Sequence, residues 1–275
     1  MYKLIAMDLD GTLLNDNKEI TQENLKLINL LDEKGYEIVI ATGRRYWSAK
    51  QLTRGINNHI TILANNGNIV RHSSDDKEII TKYLNLDDFR TIMKEGKKRN
   101  LYPIIHIDDF HGGIDVIIEL DEDNENYYNY LKNSSRFKQV KNYLDIKNNI
   151  LTVVYVGEKN ELNDFHLNIL KEYPNLYNSH IMENIAVAEA LLEIMHPQGT
   201  KWLSLLEYAT SINIKREEII AIGDDNNDIE MIKNAGLGIA MKNATEAVKA
   251  VTEHITEKDN NESGVAFELK RVLNL

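Results

Sequence analysis

Asp8-Leu9-Asp10-Gly11-Thr12 places two carboxylates two residues apart directly behind the apolar run Lys3–Met7. Extended residues two apart point to the same side, so Asp8 and Asp10 can face one ligand. Gly11 lets the backbone turn sharply there. Two like charges this close resist joint ionisation unless a cation shares them. A bound Mg2+ would relieve that repulsion and bridge to phosphate oxygens. The same string also reads as a solvated acidic turn. A calcium loop is a sharper competitor, because Glu19 is the twelfth residue counted from Asp8. It fails because the sixth position holds Leu13 where such a loop needs glycine, and because a strand precedes it where a helix should.

Three further stretches could serve the same chemistry. Ala41-Thr42-Gly43-Arg44 ends a second apolar run. A hydroxyl and backbone N–H groups before a helix N-terminus suit phosphate oxygens, and Thr42 as a plain helix cap is the competing reading. Gly223-Asp224-Asp225-Asn226-Asn227-Asp228 follows the run Glu218–Ile222. Asp224 is the candidate for a further Mg2+ ligand, with Asp228 bracing it or Lys201 from behind; an acidic loop capping the next helix accounts for the stretch equally well. Lys201 opens a helix after Pro197-Gln198-Gly199. It is either a solvated charge or the fixed cation that a phosphate needs beside the metal.

The elements that must position these residues follow from hydrophobic spacing. Lys3–Met7, Tyr36–Ala41 and Thr61–Ala64 are short apolar runs of strand length. The helical spacing of Leu25, Ile28, Leu30 and Leu31, and a second helix from Tyr46 to about Arg54, separate them. Asn65-Asn66-Gly67 is a turn signal. Strand, helix, strand, helix, strand implies a parallel sheet with right-handed crossovers, and ligands bind at the carboxyl ends of such strands. Leu191–Met195, Thr200–Thr210, Glu218–Ile222, Asp228–Asn234, Gly236–Met241 and Ala244–Ala250 repeat the rhythm. Between them lie a helix Leu86–Arg99, strands Tyr102–Ile107 and Gly113–Leu120, a helix Asn124–Lys132, a strand Asn149–Val156 and a helix Glu158–Lys171. The expected fold is therefore α/β, a parallel-sheet core of residues 1–83 plus 191–275, with an inserted α+β domain at 84–190.

Composition narrows the function classes. The chain is 43% hydrophobic and 27% charged over 275 residues, which suits packed domains and argues against disorder. There is no cysteine, which excludes disulfides, zinc–thiolate sites and thiol nucleophiles and fits a reducing cytoplasm. Acids follow the first apolar run at once, unlike a signal peptide, and no apolar stretch reaches the ~20 residues of a membrane span. A net charge of −11 repels nucleic acid and anionic membranes. It also repels a phosphorylated substrate, whose charge must then be met locally by a metal and a few basic groups.

Taken in order, Asp8-x-Asp10-Gly11-Thr12, Thr42-Gly43-Arg44, Lys201 and Gly223-Asp224-x-x-Asn227-Asp228 resemble the four motifs of the haloacid dehalogenase superfamily. The Cof-type phosphatase branch is the nearer likeness, because Asn66-Gly67, Met241-Lys242-Asn243-Ala244 and Gly264-Val265-Ala266 match its flanking signatures. The resemblance covers about 1–83 and 191–275. It departs at Gly199-Thr200-Lys201-Trp202, where the family usually has glycine after the lysine.

The resemblance implies a Rossmann-like core with an α/β cap inserted between the second and third motifs, in a Mg2+-dependent phosphatase acting on small phosphate esters, sugar phosphates above all. It implies that Asp8 attacks phosphorus and that Asp10 protonates the leaving alcohol and then activates water. Thr42, Gly43, Lys201 and Asn227 would hold the phosphoryl group, and Asp8, Asp10 (by its carbonyl) and Asp224 would bind the metal. A phosphotransferase or phosphomutase on the same scaffold, or a phospho-ligand sensor without turnover, are the alternatives. Specificity is expected in the inserted domain, where His106, Asp108, His111, Tyr155 and the run Tyr127, Tyr128, Tyr130 are conspicuous. Arg44 and Arg45 either reach a substrate anion or sit on the surface.

Overall fold

A computed structural model describes residues 1–57, 59–119, 131, 135–147, 149–185 and 188–275. The chain divides into two compact units, Met1–Thr81 with Thr200–Leu275, and Lys82–Gly199.

The first unit begins with β1 (Leu4–Met7), β2 (Glu37–Ala41) and β3 (Thr61–Ala64), then β4 (Ile69–His72) and β5 (Glu78–Thr81). The second unit holds β6 (Pro103–Asp109), β7 (Ile114–Glu119), β8 (Phe137–Val140), β9 (Ile150–Gly157), β10 (Asn178–Ile185) and β11 (Ala188–Met195). The chain then returns to the first unit with β12 (Ile219–Gly223) and β13 (Leu237–Ala240).

In the first unit the seven strands lie in the order β13-β12-β1-β2-β3-β4-β5. The five from β13 to β3 run parallel, and β4 and β5 add an antiparallel edge. Every residue of β1 is buried, as a central parallel strand covered on both faces must be. Its register sets Met7 opposite Ile40 on one side and Ile222 on the other. The residues that follow these three strands, Asp8, Thr42 and Asp224, therefore leave the sheet at nearly one level. Chain order diverges on the two sides of β1, which opens a crevice there.

The helix Lys201–Ser211 starts where Thr200 caps it, its Oγ1 accepting from Leu203 N at 3.1 Å. Trp202, at which the chain departs from the resembled third motif, is 7% exposed and belongs to the core with Leu4, Val39, Leu205 and Ile219. It anchors the helix on the sheet and leaves the preceding lysine to point elsewhere.

The second unit is a six-stranded sheet in the order β10-β11-β9-β6-β7-β8, antiparallel except for the β7–β8 pair. The helices Leu86–Lys97 and Lys159–Glu172 bury Phe89, Ile92, Leu162, Phe165 and Ile169 among Ile105, Val153, Tyr155 and Leu192. Leu191–Met195, read above as part of the parallel rhythm, instead ends β11 and pairs antiparallel with β9 and β10. A short apolar run looks alike in either kind of sheet, so spacing alone could not separate them. The hairpin β4–β5, strand β10 and the helix Gly264–Leu273 were not anticipated. The expected helix 124–132, Leu131 excepted, and the tyrosines Tyr127, Tyr128 and Tyr130 lie outside the described residues. Among the described residues, no helix is long and apolar enough to cross a membrane.

Candidate active site

Asp8 directly follows β1, and its N–H donates to Ile222 O at 3.0 Å, which ties it to β12. Lys201 Nζ donates to Asp8 Oδ1 and to Asp228 Oδ1, both at 2.7 Å. Its side chain is completely buried, and so is that of Asp228. Asp228 Oδ2 accepts from the N–H groups of Asp224 (3.0 Å) and Asp225 (3.2 Å), so both its oxygens are engaged in bracing the lysine and the loop. Thr12 Oγ1 donates to Asp224 Oδ1 at 2.7 Å.

Carboxylate oxygens of Asp8, Asp224 and Asp228 all lie within 4.8 Å of one another. Three carboxylates against one ammonium leave two net negative charges, an imbalance that a divalent cation removes. The donors are all oxygen, which suits a hard cation. Gly11 (φ +75°) is the close wall of this cluster: a Cβ there would fall 2.2 Å from Asp224 Oδ2. Gly67 (φ +90°) plays the matching part for the lysine. A Cβ there would fall 2.6 Å from Thr200 O, and its own carbonyl accepts from Ser204 Oγ at 2.7 Å, which seats the start of the lysine helix.

The electrostatics follow the burial. Desolvation pushes the Asp8 carboxyl well above its ordinary value; Lys201 opposes this, and Asp228 and Asp224 add to it. Asp224 is raised to about 7, by burial first, against the Thr12 hydrogen bond and with Asp228 adding. Burial works against the charge on Lys201, but Asp228 and Asp8 more than offset it and hold the ammonium above its ordinary value.

Asp10 is not one of this cluster. Arg44 Nε donates to its Oδ2, Arg44 Nη2 donates to its Oδ1 at 2.7 Å, and Lys18 Nζ donates to the same Oδ1 at 2.6 Å. Burial opposes the charge on Asp10, yet Arg44 and Lys18 overcome it and keep the carboxyl below its ordinary value. As a metal ligand Asp10 would therefore serve through its carbonyl and not its carboxylate. Lys18 comes from the turn at Asn15, where Lys18 N donates to Asn15 O at 2.9 Å and φ is +63°. Turn residues in Asn15-Asp16-Asn17-Lys18 signal a reversal, but nothing in their spacing shows that the lysine folds back on Asp10. Thr12 is likewise legible only as part of its motif.

Thr42 is 1% exposed and its N–H donates to Leu63 O at 2.8 Å; its Oγ1 accepts from Arg44 N at 3.1 Å. It thus braces the turn before the helix Tyr46–Leu52 but is not that helix's cap, since the N-cap is Arg45 and no side chain caps it. Gly43 lies against the side-chain amides of Asn66 and Asn227. Lys201, Asp8, Asp224 and Asp228 are thus gathered into one contact network, with Asn227 in the same loop as Asp224. In the second unit Tyr155 is a core residue whose hydroxyl donates to Ile92 O at 3.1 Å, His106 is buried, Asp108 accepts from Tyr83 Oη at 2.8 Å, and His111 stacks edge-on against Phe110.

Comparison with known proteins agrees in direction. Residues 5–269 match the family model of haloacid dehalogenase-like hydrolases. A 5-amino-6-(5-phospho-D-ribitylamino)uracil phosphatase of Bacillus subtilis is 30% identical over 284 residues, covering 99% of this chain and 98% of that protein. A phosphatase of the same name from Escherichia coli is 25% identical over 283 residues, covering 98% and 96%. A haloacid dehalogenase-like hydrolase from Bacteroides thetaiotaomicron has a similar solved structure, with a TM-score of 0.83 at 28% identity, covering 99% of this chain and all of that one.

Proposed function

We propose, for a chain that belongs to the haloacid dehalogenase-like hydrolases, that Asp8 is the nucleophile of a Mg2+-dependent phosphatase and carries the phosphoryl group between two half-reactions. The relatives named as phosphatases support the class, a phosphoric monoester hydrolase. The observation that carries the reading is Lys201, buried between Asp8 and Asp228 at 2.7 Å from each, beside the acidic group of Asp224.

In the first half-reaction an Asp8 oxygen attacks phosphorus, the bond from phosphorus to the ester oxygen breaks, and Asp10 delivers a proton to the departing alcohol. In the second, Asp10 takes a proton from water as the water attacks the acyl phosphate, releasing inorganic phosphate and restoring Asp8. Arg44 and Lys18 favour the ionised Asp10 that accepts this proton, and the proton it gains is the one it delivers to the alcohol of the next turnover. Lys201, the Thr42 hydroxyl, Gly43 N–H and Asn227 hold the equatorial oxygens, the positioning on which phosphoryl transfer depends. Asp8, Asp224 and the Asp10 carbonyl would hold Mg2+, which when bound supplies positive charge to the same oxygens.

The substrate class we propose is a phosphorylated sugar or sugar alcohol, consistent with the phosphoribityl compound in the names of the relatives. A phosphate-release screen over sugar phosphates, nucleotides, flavin mononucleotide and pyridoxal phosphate, with and without Mg2+, tests it. Release without an added acceptor separates hydrolysis from phosphotransfer. Asp8→Asn is expected to lower the rate by about 10⁴ or more while the protein stays folded; a rate within about tenfold of the parent would remove Asp8 from its role.

A further inference from the structure

Resting on the phosphatase reading, we infer that Asn66 is a positioning residue for the phosphoryl site, acting through Asn227. Asn66 stands in the turn after β3, 3% exposed, with φ +55°. Its N–H donates to Thr42 O at 3.0 Å, while the N–H of Asn65 donates to Arg44 O at 2.9 Å, so this turn is stitched along the whole Thr42-Gly43-Arg44 segment. Its side-chain Oδ1 accepts from Asn227 Nδ2 at 2.9 Å, a link between residues 161 positions apart.

The two amides meet at Gly43. A Cβ built on Gly43 would lie 3.4 Å from Asn66 Oδ1, 3.5 Å from Asn66 Nδ2 and 3.8 Å from Asn227 Nδ2. Asn66 thus joins the two segments that the phosphatase reading assigns to the phosphoryl oxygens, one by its backbone and one by its side chain. An amide rotates freely about its last bond unless a partner fixes it. With one Nδ2 hydrogen directed at Asn66 Oδ1, the plane of the Asn227 amide is set, and so is the direction of its second hydrogen beside Gly43. The left-handed backbone at Asn66 is a conformation that asparagine adopts more readily than most side chains do. Glycine adopts it as easily, so Asn66→Gly removes the amide without straining the turn.

The test is a double-substitution cycle with p-nitrophenyl phosphate and Mg2+, comparing the parent with Asn66→Gly, Asn227→Ala and the pair, and following kcat, KM and the melting temperature. Asn66→Gly is expected to raise KM about tenfold, with kcat and melting temperature little changed, as loss of a fixed hydrogen-bond donor would do. In the Asn227→Ala background the same change is expected to move KM less than about twofold, because the two act as one unit. Effects on KM that multiply, or an unchanged KM in Asn66→Gly, would overturn the inference. If these appear while Asp8→Asn is inactive, the inference alone fails. An Asp8→Asn protein as active as its parent overturns the phosphatase reading and this inference with it.

Discussion

Asp8 lies on the floor of the crevice with Lys201, Asp224 and Asp228, whereas Asp10, two residues on, lies at the rim with Arg44 and Lys18. On the floor, side chains are from 0% to 8% exposed across the Asp8–Lys201–Asp228 contacts; at the rim, Asp10, Arg44 and Lys18 are 36%, 30% and 52% exposed. On the floor burial raises Asp8 and Asp224, while at the rim burial is overcome by Arg44 and Lys18, which lower Asp10. The charge balance differs in sign as well, with three acids to one base below and two bases to one acid above. The floor is short of positive charge, as a metal site is before its ion. The rim has positive charge to spare, which answers how a chain of net charge −11 could admit an anion.

The contrast can be broken most sharply at Lys201. Lys201→Met leaves Asp8 and Asp228 buried without their shared cation, and is expected to cost about 3–5 kcal/mol of stability in denaturant titrations without metal. A loss below about 1 kcal/mol would mean that the floor is not held by this pair.

A smaller effect is expected in the pH dependence of stability. Asp224 is protonated more readily in the folded chain, at about 7 against an ordinary 3.8. The folded state therefore holds the extra proton between those values, and stability is present at low pH and lost as pH rises through about 7. Metal-free parent should lose roughly 1–3 kcal/mol more between pH 5 and 8 than Asp224→Asn does, and Mg2+ should restore it. Equal slopes for the two proteins would show that Asp224 is not desolvated as described.

The smallest effect belongs to the rim. Lys18→Met removes one exposed partner of Asp10 and leaves Arg44, so stability should change by about 0.2–1 kcal/mol. A loss as large as that of Lys201→Met would erase the distinction between floor and rim.

Much of the floor was legible in the sequence because each of its acids follows a strand-length apolar run, and parallel strands end at a common edge. Lys201 was harder to place from sequence, since a lysine at a helix start usually faces water. Thr200 as cap and Trp202 as anchor turn this one inward. The rim was not legible: the pairing of Lys18 with Asp10 depends on how the turn at Asn15 folds back, and Asn66 meets Asn227 only in three dimensions. In the fold, the parallel strands β1, β2, β3 and β12 announced themselves by short, largely apolar runs. Strand β4 did not, because Arg71 and His72 interrupt its apolar run; Arg71 is buried all the same, and it donates to Asp76 O and to the Glu78 carboxylate. Leu191–Met195 shows the limit of that reasoning, since a buried antiparallel strand carries the same apolar pattern as a parallel one.

The most direct test of the account is the intact mass of Asp10→Asn protein quenched in acid shortly after mixing with a phosphate ester and Mg2+. With proton transfer impaired, a fraction of the protein should gain the mass of one phosphoryl group, on the peptide that contains Asp8, and none should do so once Asp8 is also replaced by asparagine. Phosphate release by the parent with a phosphoryl group found on some other residue, or persisting in the doubly substituted protein, would contradict it.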